Sequence, residues 1–167
     1  VHLREFLNSH FSLEYIDSNQ IKKFNKYTMR YVAVSDAVKR DWIGKGVSSE
    51  KICTIYDGVL AAKIEKSRHQ NNCIKIIMVG GLYEEKGQIQ LIKAIQSMNL
   101  EYKRKIVVDI YGDGKKEYVD FLQKYINRNE LNEYVNLKGY SENILNKLKE
   151  YDIGITCSKA EGFGLCT

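Results

Sequence analysis

The sequence predicts an α/β fold in which a parallel sheet carries helices on both faces, and three observations lead there. From residue 73 onward, short and nearly continuous apolar runs alternate with segments whose apolar residues recur at helical spacing. Runs of that kind are the strands of a sheet covered on both sides. The runs end in glycine: Gly80 and Gly81, Gly112 and Gly114, Gly139, then Gly162 and Gly164. In a parallel sheet every loop that follows a strand emerges at one edge, where the ligands of open α/β sheets sit. Finally, the first sixty residues repeat the strand–helix pattern with too few elements for a complete sheet, so they read as an incomplete lobe of the same kind.

Taken in order, residues 1–60 offer a helix over Ser18–Arg30, a strand over Tyr31–Val34, and a cap at Ser35. The capped helix turns Ala37, Val38 and Trp42 to one side, and ICTIYDGV is a strand ending in a turn at Asp57-Gly58. Residues 61–72 are polar, basic and patternless, which is linker composition. Residues 73–167 form the second unit. CIKIIMVGG is its first strand, and KGQIQLIKAIQSM follows as a helix with Ile89, Leu91, Ile92, Ala94, Ile95 and Met98 on a broad stripe. KIVVDIYGDG is the next strand, and KKEYVDFLQKYIN a helix with Tyr118, Leu122, Tyr125 and Ile126 inward. YVNLKGY is a shorter strand. SENILNKLKEY is a helix capped at Ser141, with Glu142 in its first turn and Ile144, Leu145 and Leu148 inward. YDIGITCSKAEGFG closes the series.

Composition excludes several classes of function. Hydrophobic residues at 44% and charged residues at 28% are ordinary for a soluble globular chain. No apolar stretch approaches the roughly 20 residues of a membrane span. Cys53, Cys73, Cys157 and Cys166 contain no CxxC pair, and His2, His10 and His69 are scattered, so neither a disulfide framework nor a metal site is expected. A net charge of +5 attracts anions only weakly, and the basic residues lack the aromatic interleaving of a nucleic-acid surface. Lys22, Lys26 and Arg30 would stack at i, i+4 and i+8 on a helix. A solvated face is the plain reading of that stripe. The sharper one is attraction to an anionic membrane, at ~1 kcal/mol per basic residue.

Two stretches carry chemistry. In VGGLYEEKGQ, glycines end a strand and Lys86 opens the next helix, where a lysine beside free backbone amides can hold a phosphate. A surface lysine at a helix start is the plain alternative. In SKAEGFG, Gly162 and Gly164 let backbone N–H groups turn toward a ligand, while Glu161 suits sugar hydroxyls better than phosphate. Donors beside an acceptor fit a ligand that is part polyol and part phosphate, such as a nucleotide-sugar; a tight turn capped by an acid fits the residues as well. A Walker A loop and a GxGxxG fingerprint are both absent.

The order VAVSDAVKRDWIGKGVSSEKICTIYDGV, IIMVGGLYEEKGQIQLIKAI, VDIYGDG, VNLKGYSENI and YDIGITCSKAEGFGL resembles the family-4 type of GT-B glycosyltransferases over nearly the whole chain. The resemblance implies two Rossmann-like domains: 1–60 as the end of the amino-terminal, acceptor-side domain, 61–72 as the hinge, and 73–167 as the domain that binds the donor. It also implies a fragment, since the second glutamate of the family's E-x7-E motif would fall beyond Thr167.

Carried over by position, Glu161 resembles the first glutamate of that motif, near the donor sugar. Gly162, Phe163, Gly164 and Leu165 match the turn whose amides meet sugar and diphosphate. Lys86 matches the lysine that neutralises the diphosphate, beside Gly80 and Gly81, and Gly139 and Tyr140 match the loop at the nucleotide base. His2 resembles the amino-terminal-domain histidine facing the donor sugar, a second catalytic assignment beside Glu161. Gly81 stands where many members carry arginine, so Lys86 is expected to hold the phosphates with less help.

The implied activity is retaining transfer of a hexosyl group from a nucleoside-diphosphate sugar, a UDP-sugar first, to a hydroxyl of a saccharide or lipid-linked acceptor. No cofactor or metal is required, and no nucleic acid is expected. The resemblance places the protein in bacterial cell-surface polysaccharide assembly, in the cytoplasm or at the inner face of the membrane, with peripheral membrane association. Alone, residues 1–167 are expected to be inactive. A nucleotide-sugar epimerase or a phosphorylase on the same plan, or a non-catalytic nucleotide-binding α/β domain, are the alternative readings.

Overall fold

A computed structural model describes residues 1–6, 16–58 and 73–164. The expected linker at 61–72 and Leu165 therefore lie outside the described residues. The chain divides into two compact units: Val1–Leu60 with Ala160–Leu165, and Ala61–Lys159 with Cys166–Thr167. The glycine turn that begins at Ala160, expected with the second unit, thus groups with the first.

The first unit is built on a parallel three-stranded sheet in the order β1-β2-β3: His2–Leu3, Tyr31–Ala33 and Ile52–Thr54. Helix α1 (Ser18–Tyr27) starts at Asp17, whose side chain accepts from the Gln20 amide while the Gln20 side chain accepts from the Asp17 amide. That reciprocal pair satisfies two of the donors a helix start leaves open. The helix ends before Arg30, so the expected three-residue basic stripe is shortened to Lys22 and Lys26; the Arg30 guanidinium instead donates to the Glu50 carbonyl at 3.0 Å. Helix α2 (Asp36–Gly44) is capped as expected, by Ser35 Oγ accepting from the Val38 amide at 3.2 Å. Leu3, Ile21, Tyr31, Ala33, Val38 and Trp42 bury together as its core.

The second unit holds four parallel strands in the order β6-β5-β4-β7: β4 Ile74–Val79, β5 Ile106–Tyr111, β6 Val135–Gly139 and β7 Ile153–Gly154. Alternation along the strands explains its two-sided burial. Ile76, Met78, Val108, Ile110 and Val135 point to one face, against Ile89, Ile92 and Ile95 of helix α3 (Gln88–Ser97). A short helix α4 (Leu100–Lys103) precedes β5, and Leu122 and Ile126 of helix α5 (Lys116–Arg128) complete that core. Ile77 and Tyr111 point to the other face, with Tyr151 and the half-buried Ile144 and Leu148 around helix α6 (Ile144–Lys147). Each fully buried aliphatic side chain contributes about 1.5–3 kcal/mol. The fold class is the one the sequence predicts: an α/β molecule with parallel sheets and helices on both faces of the larger one.

Three local expectations are corrected. Helix α6 begins two residues later than SENILNKLKEY suggests, after Asn143, so Ser141 does not cap it. Leu145 is exposed rather than inward, because the helix is a single turn and only Ile144 and Leu148 reach the sheet. Ala94 also faces solvent, since the apolar stripe of α3 narrows to Ile89, Leu91, Ile92 and Ile95.

Candidate functional site

The strand order of the second unit defines a switch point. From β4 the chain moves outward through β5 to β6, then returns to the far side of β4 as β7. Ligands of open sheets bind in the crevice outside the carboxyl ends of the two strands where the direction reverses, here β4 and β7. The loops after those strands meet there. The Lys159 amide donates to the Glu85 carbonyl at 2.9 Å, and the Cys157 carbonyl lies directly against Gly87. Gly87 is left-handed, with φ of +79°, and a β-carbon on it would collide with that carbonyl, so both the turn and the close approach require glycine. Burial pushes the neighbouring Cys157 thiol above its ordinary pKa.

Lys86 closes a single 3-10 turn, Glu84–Lys86, and stands half-buried immediately before Gly87 and α3. The first intrahelical bond runs from the Leu91 amide to the Gly87 carbonyl at 3.2 Å, and the amides before it have no carbonyl of the helix to bond. An ammonium beside the positive end of a ten-residue helix is an anion-binding arrangement. The loop is held rigid by a residue that sequence reasoning passed over. Gln88 is completely buried, its Nε2 donates to the Gly81 carbonyl at 2.8 Å, and its Oε1 has no hydrogen-bond partner among the described residues. Its phase was the available signal: Gln88, Leu91, Ile92 and Ile95 share one helical stripe. The Tyr83 ring lies across Gly81 closely enough that a β-carbon there would strike it. The Tyr118 phenol is also shut away, its pKa raised by burial and by the charges of Glu84 and Glu85.

The glycines after β4, β5 and β6 divide into two kinds. The Gly80 amide bonds the Tyr111 carbonyl at 3.0 Å, the Leu82 amide bonds the Asp113 carbonyl at 2.8 Å, and the Gly112 amide bonds the Gly139 carbonyl at 2.9 Å. These bonds carry the sheet pairing past the strand ends. Gly112 and Gly114 serve that packing, since β-carbons on them would run into the carbonyls of Gly80 and Leu82. Gly80 and Gly139 have open space where a side chain would project. Gly139 has φ of +70°, and Tyr140 beside it is 73% exposed. The sequence-predicted Gly80, Gly81, Lys86, Gly139 and Tyr140 therefore share the carboxyl edge of one sheet.

The remaining predicted residues belong to the first unit. Ser35, besides capping α2, donates its hydroxyl to the Gly162 carbonyl at 2.6 Å, and Gly162 abuts the Arg4 carbonyl so closely that no side chain fits. The Phe163 ring packs on Tyr56 at 5.8 Å between centroids, and Tyr56 hydrogen-bonds Asp36. Hydrogen bonds from Thr54 and Tyr56 hold the Asp36 carboxyl below its usual pKa. Gly164 is left-handed, with φ of +79°, and Glu161 is half-buried. His2 lies on β1, paired with Val32, on the wall of a largely apolar cavity of about 440 Å³ that Leu3, Phe6, Ile16, Phe24 and Trp42 also line. The turn from Glu161 thus sits at the ends of the strands of the smaller sheet, held by Arg4, Ser35 and Tyr56. The second role of Ser35 is invisible in sequence, because its partner lies 127 residues away. Among the described residues no group of three or more His, Cys, Asp and Glu could hold a metal ion, and no helix is long and apolar enough to cross a membrane.

Comparison with known proteins places these observations. The family model described as glycosyl transferases group 1 matches residues 61–166. The GtfA subunit of the UDP-N-acetylglucosamine–peptide N-acetylglucosaminyltransferase of Streptococcus agalactiae is 31% identical over 114 residues, which are 68% of this chain and 22% of that protein. Among solved structures, Anabaena HepE in complex with UDP and glucose superposes with a TM-score of 0.79 at 22% identity, over 98% of this chain and 47% of that one. The pneumococcal O-GlcNAc transferase GtfA in complex with UDP and GlcNAc gives 0.76 at 24% identity, over 99% and 34%. These structural neighbours are GT-B glycosyltransferases. The chain spans about a quarter to a half of the length of the proteins it matches.

Proposed function

Because the chain belongs to the glycosyl transferases group 1 family, we propose that it supplies the donor half of a retaining GT-B enzyme of the family-4 type. Such an enzyme moves a hexosyl group from a nucleoside-diphosphate sugar to an acceptor hydroxyl. The observation that carries this reading is the switch-point crevice of the second unit, where Lys86 and the head of α3 meet the loop leaving β7. When the bond between the anomeric carbon and the diphosphate breaks, negative charge develops on the leaving oxygen. The Lys86 ammonium and the first amides of α3 are fixed donors toward such charge, and removing one donor of this type typically costs 10²–10³ in kcat. Gly139 and Tyr140 take the base, Glu161 orients the sugar hydroxyls, and the amides of Gly162–Gly164, with Leu165, meet sugar and diphosphate. His2 faces the donor sugar.

Uracil is the first base to test, since HepE and pneumococcal GtfA are both seen with UDP. The acceptor is a saccharide or a lipid-linked sugar, and the setting is polysaccharide assembly at the cytoplasmic face of a membrane. Lys22 and Lys26 on the outer side of α1, with Tyr27 76% and Met29 88% exposed, support peripheral attachment there.

The decisive experiment is a thermal-shift panel of UDP, GDP, ADP and their sugars on the chain and on Lys86→Ala. A ligand at 100 times its Kd stabilises by about 2.7 kcal/mol. One nucleoside diphosphate should stabilise the parent and not the variant; equal stabilisation of both would remove Lys86 from the site. In the full-length enzyme, Glu161→Ala should lower transfer at least tenfold, and unchanged transfer would remove Glu161.

A further inference from the structure

Strand β5, between the apolar clusters on the two faces of the larger sheet, carries a charge that no part of the proposed chemistry uses. Asp109 interrupts the apolar run IVVDIY, and its side chain is only 14% exposed. A carboxylate in such a place costs desolvation, and it persists where donors surround it. Tyr151 donates its hydroxyl to Oδ2 at 2.6 Å, Asn136 donates Nδ2 to Oδ1 at 2.8 Å, and Lys138 Nζ stands 3.6 Å from Oδ1. Tyr111 closes the group, its hydroxyl 3.3 Å from that of Tyr151.

Two of those partners lie on β6 around an irregularity. Asp109 pairs with Asn136 and Ile110 with Leu137, but Tyr111 pairs with Gly139, so Lys138 is an extra residue without an opposite number. A bulge of this kind re-aims whatever follows it. Here it delivers Gly139 in its left-handed conformation, with its carbonyl on the Gly112 amide, and turns Tyr140 outward. Backbone hydrogen bonds alone do not choose which residue is the extra one; side chains do, because a slip of one flips each of them to the opposite face. Asp109 removes that freedom by gripping Asn136 just before the bulge and Lys138 at it. A valine in its place could fill the space but could not specify the register.

We propose that Asp109 is a positioning residue for the nucleoside side of the donor site: by fixing the bulge at Lys138, it sets the Gly139–Tyr140 turn against the base. This rests on the assignment of that turn to the base, and it acts on the base without touching the diphosphate.

The test measures binding of two probes to the full chain: whichever of UDP, GDP and ADP binds best, and inorganic pyrophosphate. Asp109→Asn and Lys138→Met should each raise the Kd of the nucleotide about 5-fold, the worth of one lost hydrogen bond, with pyrophosphate within about twofold of the parent. Lys138→Arg, which keeps the ion pair, should restore nucleotide binding. Nucleotide binding unchanged in both variants overturns the proposal, and so does an equal loss for both probes, which would mean general loosening. Should Asp109→Asn fail to fold, Lys138→Met decides alone, because Lys138 is 40% exposed and its loss leaves the buried partners in place. A parent that binds pyrophosphate but no nucleotide overturns the base assignment itself, and this inference with it.

Discussion

At Tyr151 a single hydroxyl separates what a side chain fills from what it joins. Its ring packs edge-on to Tyr111 at 6.3 Å, and phenylalanine would keep that contact. Tyr151→Phe would leave Asp109 Oδ2 short of its closest donor, and the second unit should lose about 1–3 kcal/mol in urea unfolding. Burial, then the bonds to Asp109 and Tyr111, push the Tyr151 phenol far above the ordinary tyrosine range. A pKa raised in the folded state gives stability that is fully present below the unfolded value and is lost only as pH rises through the folded one. The contribution of Tyr151 is therefore constant through neutral pH, and alkaline absorbance titration should show a late-ionising phenol that Tyr151→Phe removes. Exposure ranks the thiols as well: exposed Cys53 should react with a disulfide reagent before the half-buried Cys157, whose thiol burial pushes above its ordinary pKa. Asp109 was readable in sequence as an oddity, a carboxylate in an apolar run. Its partners were not, because they lie 27 and 42 residues on, and only strand register brings them together.

At the scale of elements, glycine marks the ends of strands in the sequence, and the structure separates the jobs those glycines do. Gly112→Ala would drive a β-carbon into the Gly80 carbonyl at a backbone angle that disfavours alanine, and should destabilise the second unit by about 1–3 kcal/mol. Gly139→Ala meets open space and pays only for its left-handed φ, roughly 1 kcal/mol. On the proposed function the stability ranking inverts for binding: the milder substitution lies at the nucleotide edge, and calorimetry with UDP should show the larger relative loss of affinity there. Periodicity found α3 and α5 because each presents a full apolar stripe. It misjudged α6, where a run of eleven residues yields a single helical turn and a 3-10 turn, since so short a helix is set by what it packs on and not by its own sequence.

For the molecule as a whole, two cores without a common residue imply two cooperative units. Ile92→Ala, at a fully buried position, should cost the second unit about 2–5 kcal/mol. Hydrogen exchange should quicken at the amides of β4 and β5 and stay unchanged at those of β2. The alternation of strand and helix made the larger unit legible from sequence, while the smaller one, with three short strands, was legible only in outline. What the linear order concealed is that the chain visits the smaller unit twice, first through residue 60 and again near its end. A gene cut after residue 60 would therefore not yield two whole parts. The product 1–60 would carry Ser35, Arg4 and Tyr56 as an empty seat, with the peptide that fills it left on the other product. Mixed in solution, the two halves should behave as a complementing pair, the amino-terminal piece gaining protection only when the segment from Ala160 is supplied in trans.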